Sequence, residues 1–572
     1  MKKIEFKMLA FFLLILVAGL LPAESLQLKS EPGVKVEDSG KKQPIIAILG
    51  SSMAAGWVTS REAKFDMKNG WAFRLERLLA PKGYRVINIS MPGDTTDKVL
   101  DRLEKDLFPL DPDIVIISLS LENEGIRGLW DKEPQKVYAD FRDNLKIIIE
   151  KCKKNGISPV VASCYASDNF TEDWHYAFIK KMNLELAQWQ IPGINLLGAL
   201  DDGTGRFVEG ITFDLDHPDS VGHEELFHSI VPGMFDKILQ GIPLSNKSTS
   251  NGFFPVRRRE QTTPLSYISE HPIHSYTMHF EVRSMSPGTI ASILGYQGRS
   301  SQLIWLDESR FQYISADGQE HFIKTDIEGK SWNGVCISHR FIMGETRIFI
   351  NGNPVFRIEE DLLPLQFILG GPGGDSPKFE SSRSDYREWM VYRTALNTDE
   401  AITLHQGILL QPSLELYVPL SEPDWENDEP LKNHALNSGS AFGFPSAKNM
   451  SLKHLRDQIE DAVGHEKIYV DPSVKKAIEV SLSSLKNLEG VYEVDSGLKI
   501  TITLEDERLF SLFNDGKEGK LELFPLSPTR FFMNIVGPEA GMEFKNPVDG
   551  QTSEFLMQIG PQKIVGKRVR LP

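Results

Sequence analysis

Ile45-Ile46-Ala47-Ile48-Leu49 runs straight into Gly50-Ser51-Ser52-Met53-Ala54-Ala55-Gly56. Five consecutive apolar residues leave no polar face, the pattern of a strand covered on both sides. Gly50 and Gly56 flank the serines and allow a sharp turn at the strand's end. Ser52 is therefore expected at the C-terminal edge of a sheet, where open α/β folds place their ligands. Outward from this point the rhythm repeats. Helical spacing through Trp71, Phe73, Leu75 and Leu78-Leu79 precedes a second strand, Arg85-Val86-Ile87-Asn88-Ile89. A helix around Val99 to Leu107 leads to a third strand, Asp113-Ile114-Val115-Ile116-Ile117, and Phe141, Leu145 and Ile148-Ile149 predict the next helix. Pro159-Val160-Val161-Ala162 and Ile194-Asn195-Leu196-Leu197 read as the fourth and fifth strands. The alternation predicts an α/β domain with a parallel sheet over residues 44–243, ending on a helix from about Ser220.

The chain of 572 residues exceeds what one hydrophobic core holds, so about three or four domains are expected. Its 41% hydrophobic and 25% charged residues suit packed globular domains rather than long disorder. A formal net charge of -16 disfavours nucleic acid as a partner, and Arg257-Arg258-Arg259 is a short patch in a polar stretch. Lys2, Lys3 and Lys7, an apolar run from Met8 to about Leu21, and small residues at Ala23 and Ser25 compose a secretory signal over residues 1–25. The run is shorter than a membrane span needs, and no later segment is long and apolar enough to cross a bilayer as a helix. Export is the expectation, periplasmic or secreted, with no transmembrane anchor after cleavage; residues 26–43 read as a linker. Cys152, Cys164 and Cys336 are too few and too unevenly spaced for a disulfide framework or metal site, and are expected as buried thiols.

After residue 243 the pattern changes. Residues 244–262 read as a linker, and residues 263–420 as an all-β sandwich of successive strands, such as Tyr276-Thr277-Met278-His279-Phe280-Glu281-Val282. Arg347-Ile348-Phe349-Ile350, Asn351-Gly352 and Asn353-Pro354-Val355-Phe356 form a hairpin signal, because Asn-Gly supplies the positive φ angles of the turn. Residues 421–487 read as a linker with short helices, and residues 488–572 as a small C-terminal β domain.

Chemistry gathers in the α/β segment. Asp214-Leu215-Asp216-His217-Pro218, followed by Val221-Gly222-His223, supplies an imidazole with a carboxylate beside it. Serine attack needs a base for its proton, and the base needs a carboxylate to hold its tautomer. On the residues alone, Asp216 competes with Asp214 and His223 with His217. Two further strand ends carry Asn88-Ile89-Ser90-Met91-Pro92-Gly93-Asp94-Thr95 and Ser120-Leu121-Glu122-Asn123-Glu124-Gly125. The Ser52 and Gly93 N–H groups and the Asn123 amide are candidate oxyanion donors, each worth about 10²–10³ in rate.

These four stretches, in this order, resemble the blocks of the SGNH/GDSL hydrolase family. Gly50-Ser51-Ser52-Met53 is similar to the GDSL block, Gly93 to the glycine block, Leu121-Glu122-Asn123-Glu124 to the GxND block and Asp214-Leu215-Asp216-His217 to the DxxH block. The resemblance implies a flavodoxin-like three-layer fold and ester hydrolysis without a metal or other cofactor. It selects Asp214, three positions before His217, as the catalytic acid. Ser51, Leu121 and Glu124 depart from the family pattern, which has Asp, Gly and Asp there. Residues 263–420 resemble a laminin-G-like, concanavalin-type jelly roll, on Trp332-Asn333-Gly334-Val335, the hairpin, Phe367-Ile368-Leu369-Gly370-Gly371 and Tyr386-Arg387-Glu388-Trp389-Met390-Val391-Tyr392. That likeness implies a module for a glycan or protein ligand. The C-terminal portion looks similar to small β domains appended to secreted beta-lactamase-like hydrolases. The expected function is an exported serine esterase acting through Ser52, His217 and Asp214 on short acyl esters of carbohydrate. The alternatives are a lipid or lysophospholipid ester hydrolase, or a non-catalytic exported binding protein.

Overall fold

The computed structural model describes residues 43–569 apart from 58–68, 129–132, 249–251, 373–379, 422–429, 444–451, 466–477, 514–519, 534–539, 546–551 and isolated positions between them. The expected signal segment and all but residue 43 of the first linker lie outside the described residues.

Five parallel strands form the first sheet: β1 (Ile45–Gly50), β2 (Arg85–Asn88), β3 (Ile114–Ser118), β4 (Ser158–Ala162) and β5 (Gly193–Ile194), in the order β2-β1-β3-β4-β5. This is the flavodoxin-like order, whose connections diverge between β1 and β3 and open a crevice at the strands' carboxyl ends. β3 is buried at every position and β1 at all but its first, because helices cover both faces of such a sheet. The helices are α1 (Ser52–Ala55), α2 (Trp71–Leu79), α3 (Thr96–Arg102), α4 (Pro134–Lys154), α5 (Asp173–Ala187), α6 (Leu197–Leu200), α7 (Ser220–His228) and α8 (Met234–Leu239). The 21-residue α4 presents Phe141, Leu145, Ile148 and Ile149 to the core at the spacing its sequence displays. The helix expected from Val99 to Leu107 is α3 followed by a wider π turn over Leu103–Leu107. The fifth strand stops at Ile194; Leu197, expected in the strand, opens α6 instead.

Two antiparallel seven-stranded sheets follow, sharing one core that includes Tyr267, Tyr276, Phe280, Tyr313, Phe367 and Trp389. The Asn351-Gly352 turn joins Glu345–Ile350 to Asn353–Glu359, with φ of 52° and 78° at its two residues. Residues 244–262, expected as a linker, contribute Phe254–Pro255 to the edge of Ser384–Tyr392. The Arg257–Arg258 pair, with Gln261–Thr262, forms a short hairpin. In the stretch expected as the third linker, residues 421–487, Phe442–Gly443 pairs with Leu265–Tyr267, and Leu455 and Ile459 of the helix Lys453–His465 pack on Ile268 and Leu365. Eight antiparallel strands from Gly490–Val494 to Gln562–Arg568 close into a barrel filled by Tyr492, Phe531, Phe544, Phe555 and their neighbours.

The α/β domain rests on the first β region through buried polar contacts. Asn195 Nδ2 donates to Glu400 at 2.7 Å, and Ser413 Oγ accepts from Asn195 N–H at 2.8 Å while donating to Ser229 O at 2.7 Å. Cys152, Cys164 and Cys336 are buried and unpaired, and burial pushes the Cys152 and Cys164 thiols up to about 12.

Candidate active site

The turn after β1 is shaped by close packing on β3. A side chain at Gly50 would sit 2.1 Å from Ser118 O, so only glycine passes. Ser51 N–H then donates to that same carbonyl at 3.4 Å, and Ser52 opens α1. Ser52 is only 7% exposed, and its Oγ meets His217 Nε2 at 2.8 Å. On the far side of the imidazole, His217 Nδ1 lies 2.8 Å from Asp214 Oδ2.

Asp214 is itself held in place. Its Oδ1 accepts from the Asp216 N–H at 3.1 Å and the His217 N–H at 2.8 Å. Leu215, between them, has φ 72°, a left-handed conformation costly for a residue with a branched side chain. Its carbonyl accepts from Asp168 N–H at 3.0 Å, which helps to pin the kink. The kinked turn folds Asp214 back onto His217, three residues along. Burial disfavours the imidazolium, but the Asp214 carboxylate, its hydrogen bond and the nearby Asp216 outweigh burial, so the His217 pKa is raised above 6.5.

A family model described as "GDSL-like Lipase/Acylhydrolase family" matches residues 48–225. Esterase TesA of Pseudomonas aeruginosa is 25% identical over 189 residues, 33% of this chain and 86% of the relative. An arylesterase of Vibrio mimicus is 32% identical over 127 residues, 22% of this chain and 56% of the relative, so the match spans just over half of that protein. A crystal structure of TesA aligns with 23% identity and a TM-score of 0.26 over 32% of this chain and 93% of that one. Residues 48–225 are a GDSL-like lipase/acylhydrolase domain. The protein is an ester hydrolase of the SGNH type.

Within the hydrolase domain, the two residues that compete in the sequence with Asp214 and His217 have other partners. Asp216 accepts from Asn169 Nδ2, and its carboxyl is raised by burial and by Asp214, against the opposing pull of His217 and Arg127. His223 accepts from Trp71 N–H at Nδ1, 3.3 Å, and its Nε2 lies 2.8 Å from Trp57 O. Burial drives its pKa down to about 3, so it stays neutral and ties α2 to the chain beyond α1.

The loops after β2 and β3 flank the Ser52 turn. Met91 N–H donates to Gly50 O at 2.9 Å and Asn88 Nδ2 to Ala54 O at 2.8 Å, fastening the Gly93 loop to the serine turn. Gly93 adopts φ 75°. Glu124 Oε1 accepts from Thr96 N–H at 2.5 Å, joining the Gly93 loop to the Asn123 loop. The N–H groups of Ser52 and Gly93 and the Asn123 Nδ2 have no acceptor among the described residues.

Tyr165 is the residue that sequence reasoning missed. Its hydroxyl donates to Asn123 Oδ1 at 2.9 Å and lies 3.1 Å from Ser51 Oγ. The tyrosine is 3% exposed, and burial raises its phenol well above the usual range. With Oδ1 taken by Tyr165, the Asn123 amide is oriented, leaving Nδ2 as its outward donor. Ser51, where the family pattern has Asp, is the far end of this chain. Tyr165 stands just past β4, at the same sheet edge, and that position was its one signal in the sequence.

Proposed function

We propose that the protein is an exported serine esterase in which Ser52 attacks the ester carbonyl and His217 takes its proton. The observation that carries this reading is the continuous line from Asp214 Oδ2 through the His217 ring to Ser52 Oγ, both contacts 2.8 Å. Asp214 fixes the tautomer with the proton on Nδ1, so Nε2 faces Ser52 as acceptor. As the hydroxyl oxygen bonds to carbon, charge moves onto the carbonyl oxygen, and Ser52 N–H, Gly93 N–H and Asn123 Nδ2 receive it. Collapse expels the alcohol, which takes the proton from His217 Nε2. Water, deprotonated by His217, then attacks the acyl-enzyme and releases the acid and free Ser52.

The substrate class we favour is a short acyl ester on carbohydrate. Support comes from the two-sheet β region, read as a concanavalin-type glycan-binding module, together with the signal-like amino terminus. The β region docks on the α/β domain through Asn195, Ser229, Glu400 and Ser413, so a chain held there stays beside the hydrolase.

A fluorophosphonate probe should label Ser52, and Ser52→Ala should abolish both labelling and hydrolysis of p-nitrophenyl acetate in a folded protein. Retained turnover in that variant would sink the mechanism. A preference for long-chain over acetylated-oligosaccharide esters would overturn the substrate class alone.

A further inference from the structure

A second group of ionisable side chains lies where α7 meets the first β region. Glu224 and His228 stand four residues apart on α7 and therefore share a face. His274 reaches them from the segment just before the strand Tyr276–Ser284. Each offers one ligand atom, and these atoms lie within 4.8 Å of one another. All three side chains are partly exposed, at 12–16%, so solvent reaches the group.

The surroundings orient them. His228 Nδ1 is 3.2 Å from Pro272 O, and His274 Nδ1 is 2.6 Å from Glu225 Oε1. Each imidazole therefore donates from Nδ1 and keeps a lone pair on Nε2. A carbonyl or carboxylate behind the Nδ1–H is the arrangement that holds metal-ligating histidines. Glu225 is 4% exposed, and its second oxygen has no partner. Glu224 divides its oxygens: Oε2 lies 3.6 Å from Arg74 Nη1, and Oε1 lies 3.9 Å from His228 Nε2. The imidazoles stack with centroids 3.6 Å apart and planes 20° apart, so both rings border the same space. Their Nε2 lone pairs meet on one cation once the rings swing apart about their Nδ1 anchors.

We propose that Glu224, His228 and His274 form a zinc-class divalent cation site that fastens the hydrolase domain to the β region. Two imidazoles and one carboxylate are a nitrogen and oxygen donor set suited to Zn²⁺, with water as the fourth ligand. Tetrahedral donors around zinc stand roughly 3.4 Å apart, so donors now within 4.8 Å of one another close on the cation as the two rings reorient. The position gives the cation a structural consequence. α7 starts three residues after His217, with Asp219 Oδ1 capping it through Gly222 N–H at 3.0 Å. Holding α7 to the segment before Tyr276 steadies the base of the catalytic loop without touching the reacting atoms.

The test uses the full-length protein, stripped with EDTA and dialysed against micromolar ZnCl₂. Metal analysis should find one zinc per chain, and Tm should rise by several degrees, since the cation binds the folded state alone. The cobalt(II) form should show the strong visible bands of a four- or five-coordinate ion. His274→Gln and Glu224→Gln should each cut bound zinc at least tenfold and abolish the Tm rise, while metal-free hydrolysis stays within twofold of the parent. Absence of zinc in the parent, a six-coordinate cobalt spectrum, or undiminished zinc in both variants would overturn the site. Because occupancy is read without substrate, the result is independent of whether Ser52 is the nucleophile.

Discussion

The five-stranded sheet and the C-terminal barrel are both built from short apolar strands, yet they end differently. The parallel sheet is open, and its order reverses between β1 and β3, so loops carrying Ser52, Gly93 and Asn123 emerge side by side. His217 and Asp214 arrive at the same edge from a loop 165 and 162 residues further along. The barrel closes on itself, and each strand end passes to the adjacent strand. Its inward positions are taken by aromatic rings, with Tyr492 and Phe555 5.2 Å apart. An open edge at a reversal of strand order gathers chemistry from distant sequence. A closed, filled barrel spends its side chains on packing.

That contrast predicts a steep gradient of sensitivity. Asp214→Asn should lower kcat by about 10⁴ while leaving the fold intact, because the wrong imidazole tautomer then faces Ser52. The same change should move the acid limb of the kcat/KM profile. His217 acts as a base only when neutral, and its pKa is raised, so the parent should lose activity as pH falls through a value above 6.5. Without Asp214 the two larger raising contributions go, while burial and the smaller pull of Asp216 remain, so the limb should shift to lower pH; a limb that stays in place would remove Asp214 from its role. Asn123→Ala should cost roughly 10²–10³ in kcat with little change in KM. Tyr165→Phe removes the contact to Ser51 and the hydrogen bond that aims Asn123; the latter is worth about 1 kcal/mol, so kcat should fall by roughly fivefold. In an Asn123→Ala background that loss should disappear, and a persistent loss would show that Tyr165 acts by another route. Phe555→Ala, deep in the barrel, should destabilise that domain by about 3–5 kcal/mol in calorimetry. Hydrolysis at 25 °C should be unchanged; a matching loss of kcat would mean that barrel and active site are one unit.

Legibility followed the range of the interactions. β1 is visible because a run apolar on both faces needs no partner to be recognised, and α4 because its apolar spacing repeats over 21 residues. The boundary between β5 and α6 was misplaced because Ile194, Leu196 and Leu197 surround a single polar Asn195, and so short a mainly apolar run suits strand or helix alike. The linkers were read from polarity, yet Phe254–Pro255 and Phe442–Gly443 pair with strands far away in sequence, which local composition does not encode. In the site, the serine, the histidine and their loops stand out by residue type and spacing. Tyr165 does not, since its work is one oriented hydrogen bond to a residue 42 positions away.

By itself the sequence determined the kinds of element, the place where most strands run into a turn, and the presence of a serine, a histidine and carboxylates suited to serve as nucleophile, base and acid. Residue type and spacing left open which of two carboxylates reaches the imidazole and which histidine faces the serine, a choice only the family resemblance made in advance; tertiary structure alone decided which tyrosine aims the amide. Periodicity and turn chemistry act between near neighbours, whereas a hydrogen bond of 2.8 Å between residues 165 positions apart exists only once the sheet order has brought its edges together.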